Sequence, residues 1–172
     1  MKRPEGESAL PVGVALEQLD RPPPDQADPL DPRIRRPEIW GLADIGGHNL
    51  ECPTSFIHTV VDDVLHPAEV FCGGKPVQAA ETLARAVMTK RDVVIIRDTC
   101  RDERFKLLPE VLAFPMFRYL VGVPLISGYR MLGTLTFADY RPRPAPPNEA
   151  LADIRCLADA MAFLLATRGF CV

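Results

Sequence analysis

The chain has 172 residues and a mass of 19.0 kDa, room for one ordinary domain with a single hydrophobic core plus a tail, and too little for two full domains. Its 47% hydrophobic and 25% charged residues match soluble globular proteins and argue against wholesale disorder. The formal charge of -3 comes from interspersed acids and bases, and no Lys/Arg run builds the field that a phosphate backbone needs, so nucleic acid is discounted as a partner.

In chain order, the first feature is proline. Eight of the 18 prolines precede Ile39, Pro22-Pro23-Pro24 among them, in company with Asp and Arg and few aromatic residues. This composition favours extended, polyproline-like backbone, so residues 1–36 are expected to form a disordered tail and residues 37–170 the folded domain. The apolar stretch Ala9 to Leu16 contains a proline and is too short for a signal peptide. No stretch approaches the roughly 18 apolar residues of a membrane-spanning helix. A cytoplasmic chain with no membrane partner is the expectation.

Ile39, Trp40, Leu42, Ala43, Ile45 and Leu50 trace one apolar face of a short helix, weakened by Gly46-Gly47. Ser55 to Val61 is rich in β-branched residues and closes with Asp62-Asp63, a strand ending in a turn. A shorter strand spans Ala68 to Cys72, before Gly73-Gly74. Val77, Ala80, Leu83, Ala84, Val87 and Met88 then recur at helical spacing, with Lys90-Arg91 where cations favour a helix C-terminus. Asp92 to Asp98 follows as a strand whose four-residue β-branched run suits a sheet centre, implying a sheet covered by helices.

Residues 99–117 are irregular and mixed. Tyr119 to Ile126 resumes as strand, Ser127-Gly128-Tyr129-Arg130 makes a hairpin turn, and Met131 to Asp139 returns antiparallel. Beyond the prolines of 142–147, Asn148 is placed to cap a last helix with Leu151, Ile154, Leu157, Ala158, Met161, Leu164 and Leu165 as its stripe, ended by Gly169.

The five cysteines, Cys52, Cys72, Cys100, Cys156 and Cys171, are odd in number and form no Cys-x-x-Cys pair. Zinc and structural disulfides are therefore disfavoured, and no metal site is expected. Cys171 is the penultimate residue, so the prenylation pattern is not met. The alternation that buries Phe56 also buries His58, which is expected as a core or edge histidine and not a general base. No Ser, His and Asp constellation emerges.

The run Val93 to Thr99, then Asp102-Glu103-Arg104-Phe105, then Pro109, then Phe117-Arg118-Tyr119 resembles the second half of a bacterial-type GAF domain. In that family a hydrophobic strand and Asp lead to a D-x-R-F turn, a Pro, and a strand opening on Arg and aromatics. Arg118 to Leu125 departs by lacking one aromatic. Gly133 to Asp139 with Arg141-Pro142-Arg143 matches the family's closing strand. The match is good from Asp92 to about Leu165 and weaker back to Ile39.

The resemblance implies an α+β fold of the α/β-sandwich kind, a central antiparallel β-sheet of five to six strands with helices on both faces. It implies a sensory, non-catalytic signalling module. The first and last helices take the side that usually dimerises, giving a homodimer or a signalling effector as partner, and a small molecule, of unknown identity, is bound under residues 99–118. Asp98, Arg104, Phe105, Arg118 and Tyr119 are then the expected pocket residues. Arg104 and Arg118 suit an anion, Phe105 and Tyr119 an apolar wall; alternatively, Asp98 pairs with Arg104 or Arg118 only to pin the long connection. No cofactor is named by these residues.

Cys100 lies in an accessible turn beside Arg101, which suits redox sensing, against the plainer reading of a partly buried thiol. Free methionine sulfoxide reductases are also short GAF proteins, and Cys72 and Cys100 make that the enzymatic alternative. The acidic strand entrance of those enzymes is absent. No Cys-His pair is present for covalent bilin attachment, nor the N-K-x-x-x-F-x-x-x-D-E pattern of cyclic-nucleotide GAF domains. A third reading is a constitutive interaction module with no ligand.

Overall fold

The computed structural model describes residues 37–66, 69–71, 78–112 and 117–167. The expected tail over 1–36, Cys72 and the Gly169 stop lie outside the described residues.

Pro37 opens α1 (Pro37–Asn49), where its missing N–H has no helical partner to lose, and Glu38 favours the positive end of the helix dipole. Ile39, Ala43, Gly46 and Gly47 form its buried face. The glycines expected to weaken this helix are what let it approach the sheet. A Cβ on Gly46 would stand 2.5 Å from Phe137 Cζ, so the bare helix backbone rests on that ring.

β1 (Thr54–Val61) is buried on both faces along most of its length. Asp62 and Asp63 take φ of 50° and 61°, the doubled positive φ of a type I′ turn, which short polar Asp side chains tolerate. The turn folds back β2 (Val64–Leu65), a two-residue strand that had no signature in the sequence, with Val61 opposite Val64. β3 (Glu69–Phe71) pairs with the other end of β1.

α2 (Gln78–Lys90) closes on Arg91, whose φ of 54° and N–H bond of 2.7 Å to the Val87 carbonyl make a left-handed cap without glycine. β4 (Val94–Ile96) is shorter than its apolar run. The carboxylates of Asp92 and Asp98 accept the amides of Val93 and Cys100 and so end the strand locally at each side. The irregular connection holds one unanticipated helical turn, α3 (Pro109–Leu112).

β5 (Tyr119–Ser127) and β6 (Arg130–Asp139) form the expected hairpin, in register from Tyr119 opposite Asp139 to Ser127 opposite Arg130, with a bulge at Leu125/Ile126. α4 (Asn148–Thr167) begins with Leu151 donating to the Pro147 carbonyl at 3.1 Å, so the cap falls one residue earlier than Asn148.

The strands make one antiparallel sheet in the order β2-β1-β6-β5-β4, with β3 also on the outer edge of β1. Period-two alternation then splits the core. Ile57, Tyr119, Val121, Leu135 and Phe137 face α1 and α4. Phe56, Leu120 and Ala138 face α2 together with Phe105, Val111 and Phe117 of the long connection. The fold is the expected α+β sandwich, one sheet between two helical layers.

Candidate functional site

On β1 the residues in phase with Phe56 include His58, and on β6 those in phase with Ala138 are Thr134 and Thr136. All three therefore stand on the α2 face. Register brings them together: His58 is opposite Thr134, and Thr136, the next residue of that face on β6, is opposite Phe56. His58 is 2% exposed and both threonines are 0% exposed. Nδ1 of His58 and the Oγ1 atoms of Thr134 and Thr136 are buried with no hydrogen-bond partner. Buried polar groups are nearly always paired, because each orphan forfeits its hydration at a cost of about 1–3 kcal/mol. Three such orphans therefore lie side by side on one face of the sheet.

Burial pushes His58 down to about 4, so its imidazole is neutral at pH 7. Glu81 and Arg85 of α2 act on it in opposite directions. They are bridged to each other at 2.7 Å.

Of the residues expected around a pocket, Asp98 and Arg118 come together and line one cleft, while Phe105 and Tyr119 belong to the two opposite layers. Arg118 donates through Nε and Nη2 to both oxygens of Asp98, each at 2.8 Å, a bidentate clamp that holds the Asp98 carboxyl below its ordinary range. Its fork is thereby committed to a carboxylate of the protein itself. Arg104 pairs with Asp102, its neighbour in sequence, and not with Asp98. Phe105 is buried on the α2 face and Tyr119 on the α1/α4 face, because Tyr119 and Leu120 alternate and Leu120 takes the α2 side. Phe105 and Tyr119 are therefore walls of different layers.

The clamp instead anchors the long connection. Beside it, Thr99 is fully buried, donates its hydroxyl to the Phe117 carbonyl at 2.6 Å, and donates its amide N–H to the Arg118 carbonyl at 2.8 Å. The two ends of residues 99–117 are thus tied together at the base of β4 and β5, while Phe105 and Val111 between them reach under α2. An open polar cleft of about 640 Å3 is lined by Asp98 and Arg118 themselves, with Arg97, Arg101, Asp102 and Arg143.

Cys100 is exposed in its turn, as its position after the strand implied. Cys52 is buried and its thiol is pushed up to about 12, chiefly by burial, so it is inert. Cys156 is exposed on α4, on the other side of the sheet from α2. Among the described residues no group of three or more His, Cys, Asp or Glu lies close enough to hold a metal ion, and no helix is long and apolar enough to cross a membrane.

Sequence reasoning placed His58 in the core and passed over Thr134 and Thr136. The available signal was the alternation Thr134-Leu135-Thr136-Phe137, which puts two hydroxyls on the face opposite two large apolar groups. On a one-sided sheet that pattern means solvent; here α2 covers it.

Comparison with curated proteins returned no match. Among solved structures, the GAF domain of an Acinetobacter phosphoenolpyruvate-protein phosphotransferase is 16% identical, with a TM-score of 0.57, covering 73% of this chain and 78% of that one. A GAF domain/HD domain protein from Geobacter sulfurreducens is 14% identical, with a TM-score of 0.58 and coverage of 74% and 89%. A type II free methionine-R-sulfoxide reductase from Thermoplasma acidophilum is 16% identical, with a TM-score of 0.57 and coverage of 73% and 86%. At such identities the likeness shows the fold alone. The family model for the GAF domain, however, matches residues 36–165, and with the sheet order and two helical layers described above it follows that this chain belongs to the GAF domain family, a family of sensory and regulatory domains.

Proposed function

We propose that this chain is a non-catalytic, cytoplasmic sensory GAF domain that binds a small molecule on the α2 face of its sheet and passes the state of that face to a second copy or a signalling effector through α1 and α4. The observation that carries the reading is the group of three adjacent buried polar atoms without partners, on His58, Thr134 and Thr136. A ligand that satisfies them gains hydrogen bonds in a dry site, where each is worth most. The opposite layer supports the output. α1 and α4 lie together over β5 and β6 and leave Ile45 (49% exposed) and Phe163 (65% exposed) in solvent, a surface of the kind that partners cover.

Native mass spectrometry of the chain purified from its own host tests this. A retained small molecule, lost when Thr134 and Thr136 are both changed to valine, is the expected result. A dimer with no adduct and no ligand response favours the constitutive interaction module. Reductase activity toward free methionine sulfoxide, abolished by Cys72→Ser or Cys100→Ser, overturns the non-catalytic reading; the exposed thiol of Cys100 makes that control necessary.

A further inference from the structure

The connection from β6 to α4 reads Arg141-Pro142-Arg143-Pro144-Ala145-Pro146-Pro147. Four of these residues are prolines, whose rings hold φ at about −65°. The other three each precede a proline, which keeps them out of the helical region. Polyproline II, a left-handed helix with three residues per turn, satisfies both restrictions. Burial along the segment carries that repeat: Arg143 and Pro146 are half-buried, and Arg141, Pro142, Pro144, Ala145 and Pro147 are exposed.

The inner row is tied to the domain. Arg143 donates its amide to the Arg97 carbonyl at 3.1 Å and its guanidinium to the carbonyls of Leu50 and Glu51. At the far end the Pro147 carbonyl accepts the amide of Leu151 in α4 at 3.1 Å. Arg141, Pro144 and Pro147, at the same threefold spacing, therefore stand along one of the two outward rows of a segment held at both ends.

We infer that this ridge is a docking site for a partner protein that presents a groove walled by Trp and Tyr side chains with a carboxylate at one end. The surface is separate from the α2 face and does not depend on a ligand there. The hydrogen-bonding character of the ridge selects the partner. Prolines have no N–H, and the amides of Arg141 and Arg143 go to the Asp139 carboxylate and the Arg97 carbonyl, leaving only the N–H of Ala145. Among the described residues no donor reaches the carbonyls of residues 141–146. The ridge thus offers apolar pyrrolidine rings beside bare acceptors. Its complement is a donor mounted on a flat apolar surface, which the indole N–H of Trp and the hydroxyl of Tyr supply. Arg141 adds a charge: it is exposed, and its guanidinium has no partner among the described residues, so a carboxylate fits it. Because the backbone is set before contact, docking orders little of it, and a ridge of seven residues is enough.

An SH3 domain that takes Arg-x-x-Pro-x-x-Pro ligands is the probe, isotopically labelled and titrated with the full chain by NMR. We expect the Trp indole N–H signal of its groove to move, with a dissociation constant below about 1 mM. Pro144→Ala/Pro147→Ala and Arg141→Glu should each weaken binding about tenfold or more, and Pro146→Ala, on the inner row, less than about twofold. Circular dichroism and thermal melting of each variant, matched to the parent, tie the loss to the ridge and not to unfolding. No shift at millimolar concentration overturns the inference. So does Pro146→Ala weakening binding as much as the outer pair, or the outer pair leaving it unchanged.

Discussion

The two faces of the sheet are built from the same strands by the same alternation, yet they are chemically unlike. The α1/α4 face is a dry cluster of Ile57, Leu135, Phe137 and their helical partners, close enough that α1 needs a glycine over Phe137. The α2 face mixes Phe56, Leu120 and Ala138 with the unpartnered His58, Thr134 and Thr136. A hydroxyl buried without a partner costs stability, so one face maximises packing and the other tolerates a cost that a ligand can offset. The difference separates a face built for packing from one that carries unpaired polar groups.

The sharpest way to break that comparison is to truncate the packed face. Phe137→Ala should cost about 4 kcal/mol in urea unfolding, since it empties the ring space under Gly46. A cost below about 1 kcal/mol would mean the α1/α4 layer is loosely packed and the contrast is false.

Acid should find the other face. With His58 held down to about 4 when folded and near 6.5 when unfolded, the unfolded chain binds the extra proton. Stability contributed by keeping His58 neutral is complete above about pH 6.5 and is lost as pH falls toward about 4, about 3 kcal/mol in all. Urea midpoints across that window should fall less steeply for His58→Phe than for the parent, the remaining slope belonging to paired carboxylates such as Asp98. Parallel slopes would place the titration elsewhere.

Arg118→Ala should cost about 1–2 kcal/mol and loosen the base of the long connection, because Asp98 keeps a largely buried carboxylate without its clamp. Hydrogen exchange at the Thr99 amide, bonded to the Arg118 carbonyl, should quicken selectively. An unchanged rate would show that the clamp does not anchor residues 99–117.

The smallest effect has the opposite sign. Thr134→Val and Thr136→Val each remove an unpaired hydroxyl at nearly constant volume, and in ligand-free protein each should raise stability by about 1 kcal/mol. Loss of stability in either would show that the hydroxyl is satisfied in solution by a protein group.

Much of the frame was legible before the structure. The hairpin of β5 and β6 announces itself through Ser127-Gly128-Tyr129-Arg130 between alternating runs, and α2 and α4 through 3.6-residue spacing. β2 and α3 were not legible, because two and four residues carry no period to detect. For the site, the sequence offered Asp98, Arg104, Phe105, Arg118 and Tyr119, residues marked by chemistry or by their motif. Two of them form the Asp98–Arg118 clamp, while Arg104 turns to Asp102 and Tyr119 to the opposite layer.

By itself the sequence determined the family, the order of the elements and which residues share a strand face, since these depend on local periodicity and turn chemistry. The tertiary structure decided which face is covered by which helix, and hence that His58, Thr134 and Thr136 meet in the dark under α2 with no partner. Burial is a property of what lies across the sheet, and a strand's own residues encode only which side they point to.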